Sequence, residues 1–334
     1  MTAGISRSIT ALGLAAGFGA AVALAQPTSG RATAHIEAAR LAAGQEFKPV
    51  FDRTCGELTP PSAPAAPRRP GPPARESWYA EPAKVFDNLY FLGQTEYSVW
   101  AVTTSEGIIL VDAIFDYSVE DEVVGGMKKL GLDPSQIKYV VVSHGHADHS
   151  GGAKFLQETF GARIVLSAAD WDLLDRSPEP KPRRDMVATD GMKLTLGDTT
   201  LTLYVTPGHT LGTLSTLIPV RENGRAYVAA EWGGTAFNWV ANPKAYVTAE
   251  RPARFWFEAY SRSAQRFRDI VAREGATVIL ANHTVFDGTK RHLPALAARK
   301  PGDPNPYVVG KEDVLRYMTV VDECAQAGLA ALKD

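Results

Sequence analysis

The stretch VVSHGHADHSGG (residues 141–152) places three histidines and an aspartate within six residues, directly after an apolar run. The run YVVV that leads into it is typical of a buried strand, so His144 and His146 follow at the carboxyl end of that strand. Alternate side chains of extended backbone point to the same side, and these two histidines can therefore face one cation. Asp148 and His149 follow where the chain turns into a helix, and they can reach a second, adjacent cation.

Two more histidines follow apolar strands elsewhere in the chain. His209 comes after LYVTPG and His283 comes after TVILAN, and of the 7 histidines only His35 and His292 lie outside these three loops. Imidazole and carboxylate donors without thiolate suit zinc best, with iron or manganese as alternatives. The competing interpretation is a solvated loop accompanied by unrelated core histidines, which leaves the spacing of the cluster unexplained.

The composition limits the kinds of partner. The 334 residues are 45% hydrophobic, enough for a substantial core, and 35 Lys and Arg nearly balance 37 Asp and Glu, for a net charge of -2. Such a balance gives no electrostatic basis for binding nucleic acid or a membrane surface. We therefore expect a small-molecule substrate and no nucleic-acid partner, and the sequence makes no prediction about oligomeric state.

The amino terminus has the pattern of an export signal. In MTAGISRSITALGLAAGFGAAVALAQ, Arg7 precedes an apolar stretch that is too short to span a bilayer, and small residues end it before Gln26. We expect a signal peptide at residues 1–25, a periplasmic or secreted mature protein, and no membrane association after cleavage. An uncleaved membrane anchor is the alternative.

The two cysteines are interpreted in the light of that export. In an oxidising compartment Cys55 and Cys324 are either a disulfide or two idle thiols. We favour the disulfide, which would attach the amino-terminal arm to the last helix. A bond between residues so far apart closes a very long loop, for which the chain-entropy model gives an upper estimate of roughly 4–5 kcal/mol.

The rest of the sequence predicts a layered α/β domain. Residues 26–77 are expected to form a helical arm followed by a proline-rich extended segment, and residues 78–334 the compact domain with a carboxyl-terminal helix. Strand hairpins alternating with helices suggest two sheets packed face to face with helices outside. Apolar residues recur at helical spacing through PARFWFEAYSRSAQRFRDIVAREG, and Gly275 is a plausible end for that helix.

Three segments resemble the motifs of the metallo-β-lactamase superfamily. HGHADH matches its H-x-H-x-D-H signature, TPGHTLGT resembles its second metal motif, and ANHT stands where its last histidine is expected. The resemblance covers about residues 85–290 and is nearest to the third subclass of class B β-lactamases, which keeps histidine at both first motif positions. It implies an αββα sandwich with two mixed β-sheets flanked by helices, and two Zn²⁺ ions per chain. The first ion would be held by His144, His146 and His209, and the second by Asp148, His149 and His283.

One position departs from the pattern. Glu231 stands where many superfamily hydrolases have an aspartate that bridges both metals and where the third subclass has a serine. The longer side chain could bridge, bind one metal, or turn away into a hydrogen-bond network. A carboxylate that supports the ligands from behind is an equally open interpretation.

The resemblance implies a hydrolase in which two zinc ions activate a bridging water, with Asp148 as the catalytic residue that orients the resulting hydroxide. The substrate that fits best is a cyclic amide, most simply a β-lactam. Asp112 is expected to be structural or to support a ligand histidine, and Ser143 and Ser150 are interpreted as turn and cap residues.

Other functions stay open. The first is hydrolysis of a lactone or ester, which would be marked by Glu231 and the neighbouring aromatics Trp232, Phe237 and Trp239, although such aromatics more often belong to a core. A mononuclear-iron dioxygenase acting on sulfur compounds and a non-catalytic metal-binding protein are less favoured. A superfamily nuclease is disfavoured by the lack of basic surface.

Overall fold

Two mixed β-sheets lie face to face in the computed structural model, which describes residues 30–58 and 71–332, and helices cover the outer face of each sheet. This is the α/β architecture expected from the sequence, an αββα sandwich. The expected signal peptide (residues 1–25) and most of the proline-rich segment (59–70) lie outside the described residues.

The first sheet has seven strands in chain order. They are β1 (Ala83–Phe86), β2 (Leu89–Phe91), β3 (Trp100–Thr104), β4 (Gly107–Val111), β5 (Ile137–Val141), β6 (Arg163–Ser167) and β7 (Met186–Ala188). Antiparallel hairpins build β1 to β4, and β4 to β7 run parallel. Parallel pairing needs a crossover between strands, which the helices on the outer face provide.

The second sheet has five strands in the order β12-β11-β10-β9-β8. They are β8 (Met192–Leu196), β9 (Thr199–Val205), β10 (Leu214–Glu222), β11 (Arg225–Trp232) and β12 (Val278–Ala281). Strands β8 to β11 form an antiparallel meander, whereas β12 returns beside β11 in parallel. The carboxyl ends of β11 and β12 therefore meet at one edge.

The α-helices of the described residues are α1 (Gly30–Ala43), α2 (Lys48–Thr54), α3 (Gly126–Lys129), α4 (Ala147–Ser150), α5 (Ala153–Phe160), α6 (Ala168–Arg176), α7 (Asn238–Ala241), α8 (Pro243–Tyr246), α9 (Ala253–Glu274), α10 (Thr289–Ala297) and α11 (Lys311–Ala331). A π-helical turn (Glu120–Gly125) leads into α3. The first sheet is covered by α3, α5 and α6, and the second by α9, α11, α1 and α2.

The alternation of side chains along the strands separates the layers of the core. In β4, Ile109 and Val111 pack between the two sheets, whereas Ile108 and Leu110 pack against the helices outside. Successive side chains of a strand point to opposite faces, so a strand in the middle of such a sandwich is apolar on both. This explains why IILV and YVVV are continuous apolar runs.

Helix α9 confirms the helical spacing seen in the sequence. Phe257, Tyr260, Phe267 and Val271 are buried against the second sheet. Gly275 follows the last turn with φ +68°, a left-handed conformation that ends helices and that glycine adopts without steric cost. The sequence therefore predicted both the buried face and the end of this helix.

The amino-terminal arm is attached to the last helix in two ways. Helix α1 packs along α11, and the Arg316 guanidinium donates hydrogen bonds to the carbonyls of Ala42 (2.9 Å) and Ala43 (3.2 Å) at the end of α1. Cys55, directly after α2, is bonded to Cys324 of α11. The structure thus contains the disulfide that the sequence favoured. No helix within residues 30–58 and 71–332 is long and apolar enough to cross a membrane.

Candidate metal centre

Three loops that leave the strands at one edge of the sandwich carry the predicted ligands. The loop after β5 carries His144 to His149, the loop between β9 and β10 carries His209, and the loop after β12 carries His283. The first loop belongs to one sheet and the other two belong to the second sheet. The site therefore exists only because the two sheets are packed together.

The first group, the three-histidine cluster, consists of His144, His146 and His209. The Nε2 atoms of His144 and His209 lie 3.1 Å apart, and Nδ1 of His146 lies 3.3 Å from Nε2 of His209. Nδ1 of His144 donates to the carbonyl of Gly233 (3.0 Å), and Nδ1 of His209 donates to the carbonyl of Ala236 (2.9 Å). Because both Nδ1 atoms carry the proton in the neutral rings, both Nε2 atoms present lone pairs toward each other.

The charge state of these rings agrees with that geometry. Burial lowers the pKa of His146 to about 4 and holds the pKa values of His144 and His209 well below their usual range. Neutral imidazoles whose lone pairs converge repel one another unless a cation lies between them. Nitrogen donors of this kind suit zinc, so the cluster fits the metal that the sequence implied.

The second group, the acidic cluster, consists of Asp148, His149 and His283. Nε2 of His149 lies 3.2 Å from Nε2 of His283 and 3.3 Å from Oδ2 of Asp148. On its other side, His149 Nδ1 donates to Oδ2 of Asp112 at 2.8 Å. This is the support that the sequence suggested for Asp112, and a carboxylate behind a ligand histidine fixes its tautomer and raises its basicity.

The acidic cluster attracts positive charge. Burial disfavours the charged imidazole of His149, but Asp148 and Asp112 outweigh it and raise the pKa of His149 to about 10. Burial also opposes ionisation of Asp148, yet the His149 charge lowers the pKa of that carboxyl below its usual range. A metal ion would take the place of the His149 Nε2 proton, so this donor set fits a cation as well.

The two clusters are adjacent, and the acidic cluster has two partly exposed members, whereas the three-histidine cluster has one, His146. The ring centroids of His144 and His149 are 4.3 Å apart, so two ions held by the clusters would be neighbours. His144 and His149 are buried, whereas the side chains of Asp148 and His283 are 24% and 21% exposed. A substrate would therefore approach from the side of Asp148 and His283.

Comparison with known proteins agrees with this arrangement. Residues 92–228 match the family model described as the metallo-beta-lactamase superfamily. A subclass B3 metallo-β-lactamase of Bradyrhizobium japonicum has a similar structure, with a TM-score of 0.60 and 24% identity, covering 73% of this chain and 92% of that one. The segment from residue 92 to residue 228 thus matches the metallo-β-lactamase superfamily. The two β-sheets and the helices that flank them are those of a metallo-β-lactamase fold.

Curated relatives within the superfamily carry different activities. An N-acyl homoserine lactonase of a Bacillus species is 27% identical over 168 residues, which are 49% of this chain and 62% of the relative. A hydroxyacylglutathione hydrolase of Acidiphilium cryptum is 38% identical over 77 residues, 23% of this chain and 29% of the relative. The chain thus matches less than two thirds of the length of either relative.

A buried polar network holds the loop after β5, the first of the three candidate ligand loops. The backbone N–H of Ser143 donates to Asp112 Oδ1 at 2.6 Å, and its hydroxyl donates to Oδ2 at 3.0 Å. The amide of Asn282, directly before His283, donates to the Gly233 carbonyl at 2.7 Å. Ser143 lies in a bend after β5, and its buried hydroxyl also joins the strand end to Asp112. Ser150 does lie in a helical turn, where its hydroxyl donates to the carbonyl of His146 at 2.9 Å.

Glu231 lies on the inner face of β11, behind the ligands. Its neighbours Ala230 and Trp232 pack against the outer helices, so alternation directs the Glu231 side chain between the sheets. Both carboxyl oxygens are buried, without a hydrogen bond of ordinary geometry, and the side chain beside them is Thr216, which pairs with Glu231 from β10. Burial raises the pKa of Glu231 well above its usual range, and the charge of Asp112 adds to this effect. Among the described residues, the Glu231 carboxylate does not belong to the sets of donor atoms that converge closely enough to hold a metal ion.

Two polar residues near the metal ligands were missed in the sequence. The Asn238 amide nitrogen lies 3.1 Å from Nε2 of His209, and the Tyr246 hydroxyl lies 2.8 Å from Nε2 of His146. Both come from the short helices α7 and α8, which have neither a motif nor a spacing that marks them. The aromatics Trp232, Phe237 and Trp239 are almost fully buried in the core and do not line the site.

Proposed function

We propose that this chain is a metal-dependent hydrolase with two Zn²⁺ ions, which opens a cyclic amide and most simply a β-lactam. The observation that carries the proposal is the convergence of six donor side chains from three loops and two sheets, with ring nitrogens facing one another at 3.1–3.3 Å. A protein that only stores metal has no need of the partly exposed side that Asp148 and His283 provide.

Bound zinc ions would polarise a carbonyl group and lower the pKa of a water molecule toward neutrality. The chain's own residues position the reactants around that chemistry. Asp148 is ionised over the working range of pH and can accept a hydrogen bond from the attacking water, which orients it. Burial raises the pKa of Tyr246 to about 12, so its hydroxyl stays protonated and can donate to a substrate oxygen. The Asn238 amide is a second donor on the same wall.

A β-lactam is favoured by the ligand set and by the fold. His144 and His146 occupy the first two histidine positions of the H-x-H-x-D-H motif. In this respect the chain resembles the third subclass of class B β-lactamases. The fold is similar to a subclass B3 enzyme over 92% of that enzyme's length. The amide of Asn238 and the hydroxyl of Tyr246 are suitable donors for the carbonyl oxygen of a strained ring.

A lactone or ester is the second candidate, because a specific residue favours it. Glu231 is acidic where the third subclass has serine, and many superfamily hydrolases have an acid there. The curated relatives include an N-acyl homoserine lactonase and a hydroxyacylglutathione hydrolase. The alternative activity is hydrolysis of a lactone or ester at a metal site formed by the same six side chains.

Export to the periplasm or the exterior is part of the proposal. The apolar amino terminus ends in small residues before Gln26, and the Cys55–Cys324 disulfide is of a kind that persists in oxidising compartments. Mass spectrometry of protein expressed with its amino terminus should find a mature chain beginning at Gln26. A mature chain that retains Met1 would contradict export by cleavage.

The substrate is tested by one panel on zinc-loaded protein. A chromogenic cephalosporin, an acyl lactone and a simple thioester are assayed before and after treatment with a chelator. Turnover of the cephalosporin that disappears with chelation supports the β-lactamase proposal, and turnover confined to the lactone or thioester supports the alternative. Metal analysis of the same protein separates zinc from iron, and iron would favour the dioxygenase interpretation.

A further inference from the structure

The three-histidine cluster combines ligands from two sheets, so something must fix the distance between their loops. His144 and His146 belong to the loop after β5 in the first sheet, and His209 belongs to the β9–β10 loop of the second. A ligand set held by two independently moving loops would lose the geometry that a metal requires. Asp170, which is no part of either cluster, lies between these loops.

The carboxylate of Asp170 accepts hydrogen bonds from both loops. Oδ2 accepts from the backbone N–H of Gly145 (2.9 Å) and from the hydroxyl of Thr210 (2.8 Å). Oδ1 accepts from the backbone N–H of Gly212 at 3.0 Å. Gly145 separates His144 from His146 in the chain, and Thr210 directly follows His209.

The position of Asp170 is itself fixed. It lies in the first turn of α6, where its own backbone N–H donates to the hydroxyl of the N-cap residue Ser167 at 3.3 Å. Its side chain is fully buried, so the three hydrogen bonds face no competition from solvent. Hydrogen bonds to a buried carboxylate are among the stronger ones in proteins.

Two glycines allow this close approach. A Cβ at Gly145 would lie 3.0 Å from the Asp170 carbonyl oxygen, and a Cβ at Gly212 would lie 2.0 Å from the Ser167 hydroxyl. A side chain at Gly212 would therefore push the helix end away from the β9–β10 loop. The sequence is thus arranged so that one helix end contacts both ligand loops.

We propose that Asp170 is a positioning residue that sets the separation between His209 and the His144–His146 pair by bonding both loops at once. This rests on the proposed metal function of the three-histidine cluster. Asp170 touches neither substrate nor metal, and its effect is transmitted through the backbone of the two loops.

The acidic cluster has its own buried aspartate, which provides a matched control. Asp287 accepts from the backbone N–H groups of Ala281 and Thr289, both at 2.9 Å, and so holds the loop that carries His283. It is as deeply buried as Asp170. Replacing either aspartate by asparagine removes a negative charge and a hydrogen-bond acceptor from the interior without changing its volume.

The test uses a parent variant, His283→Ala, in which the acidic cluster lacks a donor and the three-histidine cluster is intact. Zinc affinity is measured by competition with a chromophoric chelator, and the absorption spectrum of bound Co²⁺ reports the ligand geometry. We expect Asp170→Asn in this parent to weaken zinc binding about 10-fold or more and to change the Co²⁺ spectrum. Asp287→Asn in the same parent should lower the thermal midpoint while leaving both readouts unchanged.

Thr210→Val removes one of the three hydrogen bonds and should weaken zinc binding by a smaller factor, whereas Thr210→Ser should restore the parent affinity. If Asp170→Asn does not fold, the comparison of Thr210→Val with Thr210→Ser tests the role of Asp170. Parent affinity and an unchanged Co²⁺ spectrum in Asp170→Asn, or in Thr210→Val, overturn the role of Asp170. A parent that binds no zinc contradicts the proposed function instead, so the two failures are distinguishable.

Discussion

The two clusters of donors lie side by side, yet their surroundings differ in charge. The imidazoles of His144 and His209 are backed by the neutral carbonyls of Gly233 and Ala236, whereas His149 of the acidic cluster is backed by the Asp112 carboxylate. The three-histidine cluster presents only neutral rings, and the acidic cluster contains Asp148. The first cluster would therefore select a metal by geometry, whereas the second would attract one by charge.

Exposure follows the same division. The three-histidine cluster has one partly exposed side chain, His146, while the acidic cluster opens toward solvent through two, Asp148 and His283. We therefore expect an ion in the acidic cluster to exchange faster with chelators and to face the substrate. Substitutions of single residues in and around each cluster test this contrast.

The largest effect is expected from Asp148→Asn. The substitution keeps the size of the side chain but removes its charge, so both the acidic cluster and the orientation of the attacking water are lost. The kcat/KM for the preferred substrate should fall about 10³-fold or more, within the range for loss of a positioned acid–base group. Steady-state kinetics on zinc-loaded protein measure this.

Glu158→Gln is the matched control for that variant. Glu158 is an exposed acid of α5 that pairs with Lys154 at 3.2 Å, away from the ligands. Its replacement should leave kcat/KM unchanged within a factor of about two, since an exposed ion pair contributes little. Equal rates for Asp148→Asn and the wild type would remove Asp148 from the mechanism.

Asp112→Asn should weaken the acidic cluster selectively. Asp112 has a φ of +68°, a conformation that asparagine tolerates, so the backbone should be preserved. The amide oxygen can still accept from the Ser143 N–H, while the amide nitrogen would face Nδ1 of His149 and disturb its tautomer. We expect one of the two zinc ions to bind about 10- to 100-fold more weakly, the usual cost of losing such support.

Chelator competition on wild type and Asp112→Asn checks this. The affinity of the tighter ion should not change, because the three-histidine cluster makes no bond to Asp112 through its rings. Equal weakening of both ions would show that the clusters are not independent, and the contrast drawn between them would fail.

Glu231→Gln should change how stability depends on pH. Burial holds the pKa of Glu231 well above the ordinary value of 4.5, so above that pH the unfolded chain loses a proton that the folded chain retains. The free energy of unfolding of metal-free wild type should therefore fall with rising pH, by at most about 1.4 kcal/mol per pH unit from this group. The glutamine variant lacks this contribution. Its free energy of unfolding relative to that of the wild type should therefore be higher at pH 8 than at pH 5.

Urea unfolding of both proteins at three pH values measures the difference. The same unfolding experiment with zinc tests the role of Glu231. If the carboxylate binds an ion, the wild type and the variant should no longer differ in how the free energy of unfolding depends on pH. If the carboxyl only supports the ligands, the difference should remain. Identical slopes for wild type and Glu231→Gln without metal would contradict a buried acid at this position.

The smallest effect is expected from Tyr246→Phe. The hydroxyl contacts Nε2 of His146 at 2.8 Å, and its removal deletes one neutral hydrogen bond worth about 1 kcal/mol. The rate should fall about 5-fold with metal content unchanged, because Nδ1 of His146 is the atom that faces His209. Tyr204→Phe, a partly buried tyrosine beside Phe267, is the control and should have no effect on the rate. Loss of metal in Tyr246→Phe would show that the hydroxyl holds the ligand ring itself.

Much of the site was predictable because its residues are close in sequence or follow recognisable strands. His144 to His149 occupy one loop, and His209 and His283 each follow an apolar run, so the carboxyl ends of strands could be identified before their pairing was known. The disulfide was predictable for a different reason. The sequence has two cysteines, and the expected export favours their oxidation.

The residues that hold the ligands were not predictable in the same way. In the sequence, Asp170 lies in a helix that contains no histidine. Asn238 and Tyr246 lie in short helices after β11. Their roles follow from packing between distant elements, which a single sequence does not reveal. The bond between Ser143 and Asp112 was not predictable for the same reason, since the two residues are 31 positions apart.

The number of zinc ions bound per chain decides whether the six side chains form a two-metal site. Wild type, His209→Ala and His283→Ala are loaded with zinc, desalted, and analysed for metal per chain by mass spectrometry. We expect two ions in the wild type and one in each variant, because each substitution removes a donor from a different cluster. A wild type that retains no zinc, or variants that both retain two ions, would contradict a two-metal site built from these six side chains.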